Sequence, residues 1–142
     1  MAVSLSGVGT ANIKGNSHSP AFIDTDDDIF IIQHEAASTF DVWKSANNGT
    51  SFTEQNKTWS NTTASATSFT VIQSGRKLLI ATIHNSSNQY EIQFNSFDMA
   101  TETWATEVVV EAGTYDYISS YLGVAMIERS DGDLVIVTYG SD

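Results

Sequence analysis

Short runs rich in Ile, Val, Phe, Tyr and Thr recur along the chain between clusters of Gly, Asn, Asp and Ser, and no stretch sustains the apolar spacing of a helix. The pattern predicts an all-β protein. Strands are expected over about 20–24, 28–34, 39–45, 57–61, 68–73, 77–84, 90–97, 105–110, 121–129 and 133–139. Apolar residues alternate within several of them, as in Ile29/Ile31, Leu78/Ile80 and Leu134/Ile136. Alternation of this kind gives a strand one face for a core.

Aligned with itself, the chain superimposes Ile23-Asp24-Thr25-Asp26-Asp27-Asp28-Ile29-Phe30-Ile31 on Ile72-Gln73-Ser74-Gly75-Arg76-Lys77-Leu78-Leu79-Ile80, an offset of 49 residues. Ile127 to Ile136 forms a third copy that is one residue longer. Each copy reads as strand, polar turn and strand, which is a β-hairpin. A third strand follows the first two hairpins, at Phe40 to Ser45 and Tyr90 to Asn95, and after it come a turn and an aromatic, Phe52 and Trp104. The repeats span about 17–64, 65–114 and 115–142, the last of them incomplete.

Four strands in about 50 residues match the size of a propeller blade, whose sheets bury their faces against their neighbours. The expected fold is therefore a partial β-propeller of four-stranded antiparallel blades, two of them whole and about half of a third, in a single domain over residues 1–142. Closed propellers typically need about four to eight blades. Two copies of this chain are expected to associate as a homodimer and complete a ring of about five or six. Looser association of a truncated chain is the alternative.

Composition narrows the partners. Seventeen acidic residues against six basic ones give a formal charge of −11, which disfavours nucleic acid and anionic membrane surfaces. With 41% hydrophobic and 11% aromatic residues the chain can bury a core, and the absence of cysteine removes disulfides, thiolate nucleophiles and thiolate metal sites. Residues 1–10 have neither the basic start nor the apolar stretch of a secretory signal. Localisation stays open, with an extracellular or virion-associated setting among the alternatives.

Ser45-Ala46-Asn47-Asn48-Gly49-Thr50-Ser51-Phe52 resembles the Asp-box, Ser-x-Asp-x-Gly-x-Thr-Trp, that joins the third and fourth strands of sialidase-type blades. Here Asn47, Ser51 and Phe52 stand in for Asp, Thr and Trp. Phe97-Asp98-Met99-Ala100-Thr101-Glu102-Thr103-Trp104 is a related turn in the second repeat. The structural roles implied are those of Ser45, Asn47, Gly49, Phe52, Asp98 and Trp104: turn hydrogen bonds, a positive φ and an aromatic packed beneath. Ser17-His18-Ser19-Pro20-Ala21-Phe22-Ile23-Asp24, with His34 ending the next strand, resembles the opening blade of BNR-repeat propellers that include ulvan-lyase-type polysaccharide lyases. Where sialidases carry an Arg-Ile-Pro signature this chain has His18-Ser19-Pro20, without the guanidinium that clamps a substrate carboxylate.

By propeller topology, the first-hairpin turns and the Asp-boxes share one end of the blades, while blade entries and second-to-third-strand loops share the other, which is usually the binding end. His18, His34 and His84 fall at that second end with Glu35, Asn85, Tyr115, Asp116 and Tyr117. Resemblance to lyases implies that His18 or His34 abstracts a proton α to a uronate carboxylate, while Tyr117 or the other His protonates the leaving oxygen. His84, Glu35, Asn85, Tyr115 and Asp116 would line the ligand, and aromatics there can stack on sugar rings. The alternative for the histidines is a hydrogen-bonded strand end. Arg76 is expected at the opposite end and Arg129 lies in the third hairpin, which leaves no carboxylate clamp.

The acidic run Asp24 to Asp28 lacks the Gly and Glu of an EF-hand loop and reads as a solvated turn. No metal and no cofactor are expected, the histidine spacing offering no zinc pattern. Two functions remain: a non-catalytic module recognising a glycan or protein, and the N-terminal part of a polysaccharide-active enzyme, lyase or glycosidase, with His18 and His34 as acid and base.

Overall fold

The computed structural model describes residues 21–36, 39–55, 58–60, 66–86, 89–114 and 123–139. Those residues form twelve strands and no helix: β1 (Ala21–Ile23), β2 (Ile29–Ala36), β3 (Thr39–Ser45), β4 (Thr53–Glu54), β5 (Trp59–Ser60), β6 (Ala66–Ser74), β7 (Lys77–Ser86), β8 (Gln89–Asp98), β9 (Thr103–Trp104), β10 (Val108–Thr114), β11 (Gly123–Glu128) and β12 (Leu134–Tyr139). The protein is all-β. Sheet I runs β1-β2-β3-β4, with β5 also on β3; sheet II runs β10-β8-β7-β6, with β9 on β8; sheet III pairs β11 with β12. Every pairing is antiparallel, and none of the sheets closes on itself among the described residues.

The three hairpins are set by their turns. In the first, Asp24 N–H donates to Asp28 O over 2.9 Å and Asp27 takes φ 62°. The third repeats this, with Arg129 N–H donating to Asp133 O over 2.8 Å and Gly132 at φ 89°. Both are three-residue loops ending on a left-handed residue, whereas the second turn is the two-residue Gly75-Arg76, with Gly75 at φ 56°. Turn length sets register. Ile23 therefore pairs with Ile29, while Ile72 pairs with Leu79, which puts the last apolar residues of β1 and β6 on opposite faces of their sheets.

Sheet II lies between the other two because both of its faces are apolar. Leu78 and Ile80, with Phe69, Val71 and Phe97, pack against Phe30, Ile32, Phe40 and Val42 of sheet I. Leu79, Ala81, Ile83 and Ile92, one residue out of phase, pack against Val124 and Met126 of sheet III, with Leu134 and Ile136 alongside. A strand buried on both faces loses its polar alternation, which explains the run Leu78 to Ile83. Aromatic rings fill the first interface, with Phe40 stacked on Trp59 at 5.1 Å and Phe97 edge-on to Trp104 at 5.2 Å.

Charged clasps tie the turn ends of sheets I and II. Arg76 donates from Nε to Asp24 Oδ1 over 2.8 Å, from Nη2 to Asp24 Oδ2, and from Nη2 to Asp26 Oδ2 over 2.8 Å. The acidic turn is thus not solvated throughout, since Asp24 is buried under Arg76. Lys44 bridges Asp28 at 2.7 Å and Glu102 at 2.8 Å from beneath, over the Phe30 ring.

The hydrogen bond from Arg76 holds the Asp24 carboxyl below the ordinary carboxylate range. A depressed folded value makes the contribution full above the unfolded value near 4 and lost as pH falls through the folded one. Thermal melts below about pH 4 are expected to show the wild type losing its advantage over Asp24→Asn. An advantage unchanged into strong acid would contradict this role for the clasp.

Candidate functional site

The connections 37–38, 61–65, 87–88 and 115–122 all join strand ends on the side away from the Asp24 and Arg76 turns. His34 and His84 sit near the ends of β2 and β7 on that side, and both face the interface between sheets I and II. Glu35 and Asn85 follow them in the same strands. His18, Tyr115, Asp116 and Tyr117 lie outside the described residues.

His84 shares a face with Leu78, Ile80 and Thr82, because residues two apart on a strand point the same way. Only 1% of it is exposed, and its Nε2 is 2.6 Å from Thr82 Oγ1. His34 is half-buried, stacked on Phe40 at 4.8 Å and edge-on to Phe69 at 5.9 Å. Both rings are held inside the packing between two sheets. Gln93 Nε2 donates to Glu91 Oε1, and Asn95 Oδ1 accepts from Ser96 N–H at 2.8 Å, so that Thr82, His84, Gln93 and Asn95 make a buried polar row along this face.

Buried polar groups are retained where they are bonded, and a row of them selects one alignment of two sheets. The chemistry available to His84 here is hydrogen bonding. Among the described residues no group of three or more His, Cys, Asp and Glu is placed to hold a metal ion. Arg76 is at the far end, and Arg129 pairs with Asp131 at 2.9 Å and Asp133 at 3.5 Å.

The two Asp-box-like turns are built from their own side chains. Ser45 Oγ accepts from Gly49 N–H at 2.9 Å and donates to Asn47 Oδ1 at 2.8 Å, while Asn47 Oδ1 also accepts from Ser51 N–H at 3.0 Å. Gly49 takes φ 78° and is buried, with Ile29 Cδ1 only 3.4 Å from where a Cβ would lie. In the second turn Asp98 Oδ1 accepts from Ala100 N–H at 2.8 Å and Thr101 N–H at 3.1 Å. Met99 enters the core, and Trp104 packs on Trp59 and Phe97. Phe52 is half-buried.

Two residues that sequence reasoning passed over lie on the outer face of sheet I. Gln33 and Asp41 are cross-strand partners and both are buried, Asp41 accepting from Thr58 Oγ1 at 2.7 Å. Gln33 Oε1 is buried with no hydrogen-bond partner among the described residues. Alternation offered the signal, since Gln33 continues the row Ile29, Ile31.

Comparison with protein-family models, curated proteins and solved structures yields no match to the chain. The fold itself defines the class: an all-β protein of antiparallel sheets stacked face to face in chain order.

Proposed function

We propose that the chain is a non-catalytic recognition or structural module, a partial propeller of the BNR-repeat kind completed by self-association, whose loop-bearing end engages a glycan or a protein. The observation that carries this reading is the placement of His34, one of the two acid-base candidates, stacked on Phe40 at 4.8 Å and edge-on to Phe69 at 5.9 Å in the same sheet interface that buries His84. An acid or base must reach the proton it transfers within hydrogen-bond distance. A ring enclosed by two sheets serves packing instead. The propeller element is supported by three hairpin repeats in chain order, each starting at the same edge of its sheet.

The test exposes the protein to neutral and uronate-containing polysaccharides, scoring binding on immobilised protein and cleavage by absorbance of the unsaturated product. Binding without cleavage is expected. Cleavage that His18→Ala or His34→Ala abolishes would replace this reading with the lyase.

A further inference from the structure

Within the chain, the same kind of contact is made twice. Phe30 and Ile32 of β2 face forward onto Leu78 and Ile80 of β7, and Leu79, Ala81 and Ile83 of β7 face forward onto the sheet carrying Leu134 and Ile136 of β12. In each case the forward face of one repeat covers the backward face of the next. Two faces in this series are left over. The forward face of sheet III carries Ala125, Ile127, Val135, Val137 and Tyr139, with Ile127 61%, Val137 55% and Tyr139 63% exposed. The backward face of sheet I carries Ala21 and Ile23, Ile23 being 59% exposed, and Ile29, Ile31 and Trp43, which are half-buried.

By the repeat, Val135 and Val137 stand where Leu79 and Ala81 stand in sheet II, and Ile29 and Ile31 stand where Leu78 and Ile80 do. By their place in the repeat, the two faces correspond to the two halves of an interface that the protein already makes. The residues named on the two faces are uncharged; the sheet I face also carries Asp41, already buried and bonded to Thr58 Oγ1, and Glu54, exposed at its edge. The sheet III face is also preformed: the Tyr139 ring lies over Gly123, where a Cβ would come within 2.1 Å of Cζ. Farther along the sheet I face Gln33 and Asp41 are buried, and Gln33 Oε1 has no hydrogen-bond partner among the described residues.

We infer that the forward face of sheet III docks head-to-tail on the backward face of sheet I of a second copy, and that two such contacts close a two-fold dimer. This rests on the self-association in the proposed function and names its surfaces. Three sheets from each copy then make a ring of six, inside the usual range of about four to eight blades. A head-to-tail contact that closes is self-limiting.

The experiment is sedimentation velocity on the wild-type chain, on Ile23→Glu, on Val137→Glu and on an equimolar mixture of the two variants, with far-ultraviolet circular dichroism to check folding. Both positions are exposed in one copy, so each variant is expected to fold; Tyr139→Lys replaces Val137→Glu if that variant does not. Wild type is expected at twice the 15.4 kDa of one chain and each variant at the single mass. The mixture is expected to regain dimer, because one contact between the two variants joins two unaltered faces. A face-to-face contact between like surfaces predicts no such rescue, and failure of the mixture to dimerise overturns the head-to-tail assignment. A wild-type monomer at every concentration, with both faces covered from within by residues 1–20 or left open, also overturns it. So does a dimer that neither variant disturbs. Glycan binding by a monomer would leave the recognition reading standing while this inference fell.

Discussion

Truncating Phe97 to alanine is expected to lower the unfolding free energy by about 3–5 kcal/mol. The ring is fully buried on the sheet II side of the first interface, 6.1 Å from Phe30 and 5.2 Å from Trp104. Its neighbours are rings on separate strands, held by two sheets and by the turn from Asp98 to Trp104, so they cannot collapse into the space without disturbing a ladder. Cavity cost then adds to the lost transfer energy. Denaturant unfolding followed by tryptophan fluorescence measures the change. A loss below about 1 kcal/mol, the scale of a typical point substitution, would mean that the interface is loosely packed.

The second large effect is local. Met126→Asp places a carboxylate between Ile136 and the apolar side chains of Leu79, Ala81 and Ile83, with Lys77 of the same face exposed at the turn end of β7. Burying an unpaired charge costs several kcal/mol, enough to detach a two-stranded sheet that rests on this one apolar face. The core between sheets I and II lies on the opposite side of β7 and is expected to persist. Limited proteolysis should cut within 115–142 of the variant and leave the earlier repeats intact. Cleavage distributed equally over all three sheets would show that the two interfaces are one cooperative unit.

Much of this fold is legible in the sequence, and the reasons are local. The hairpins carry their turn chemistry, with Gly75 and Gly132 supplying the positive φ, and the alternation of Ile29/Ile31 and Leu134/Ile136 marks the faces that carry them. The strands expected over about 39–45 and 133–139 match β3 and β12 to within a residue. Register was harder to see. One residue more in the first turn than in the second moves Ile23 to the outer face of sheet I, an effect that a simple offset of 49 residues conceals.

The outer strand of the second repeat shows a different limit. The valines at 108–110 suggest a strand that ends there, yet β10 runs on through Thr114 because its ladder with β8 continues to Gln89 past a shift at Val109/Glu111. Those valines are exposed, and Tyr90 covers Gly113 instead. The two-residue strands β4 and β9 went unpredicted, since neither is long enough to show a period. They exist because the Asp-box-like turns return the chain to β3 and β8.

For the candidate site, chain order correctly brings His34 and His84 to the same end of the sheets. Their direction was available too, because Thr82 and His84 continue the inward row of Leu78 and Ile80. Residue type alone, as in the resemblance to a lyase, carries no direction, whereas alternation along the strand gives the face. Of the remaining candidates, Glu35 and Asn85 lie in the strands beside these histidines, and His18, Tyr115, Asp116 and Tyr117 fall outside the described residues.

Completion of the stack of sheets by a second copy through unlike faces, as inferred above, is tested most directly by chemical cross-linking. The chain contains no cysteine, so a short bis-maleimide can act only where a thiol is introduced. Mixing Ile23→Cys with Val137→Cys is expected to give a covalent dimer on a denaturing gel, and neither variant alone should do so. Cross-linking of either variant with itself, or none in the mixture, would contradict the account.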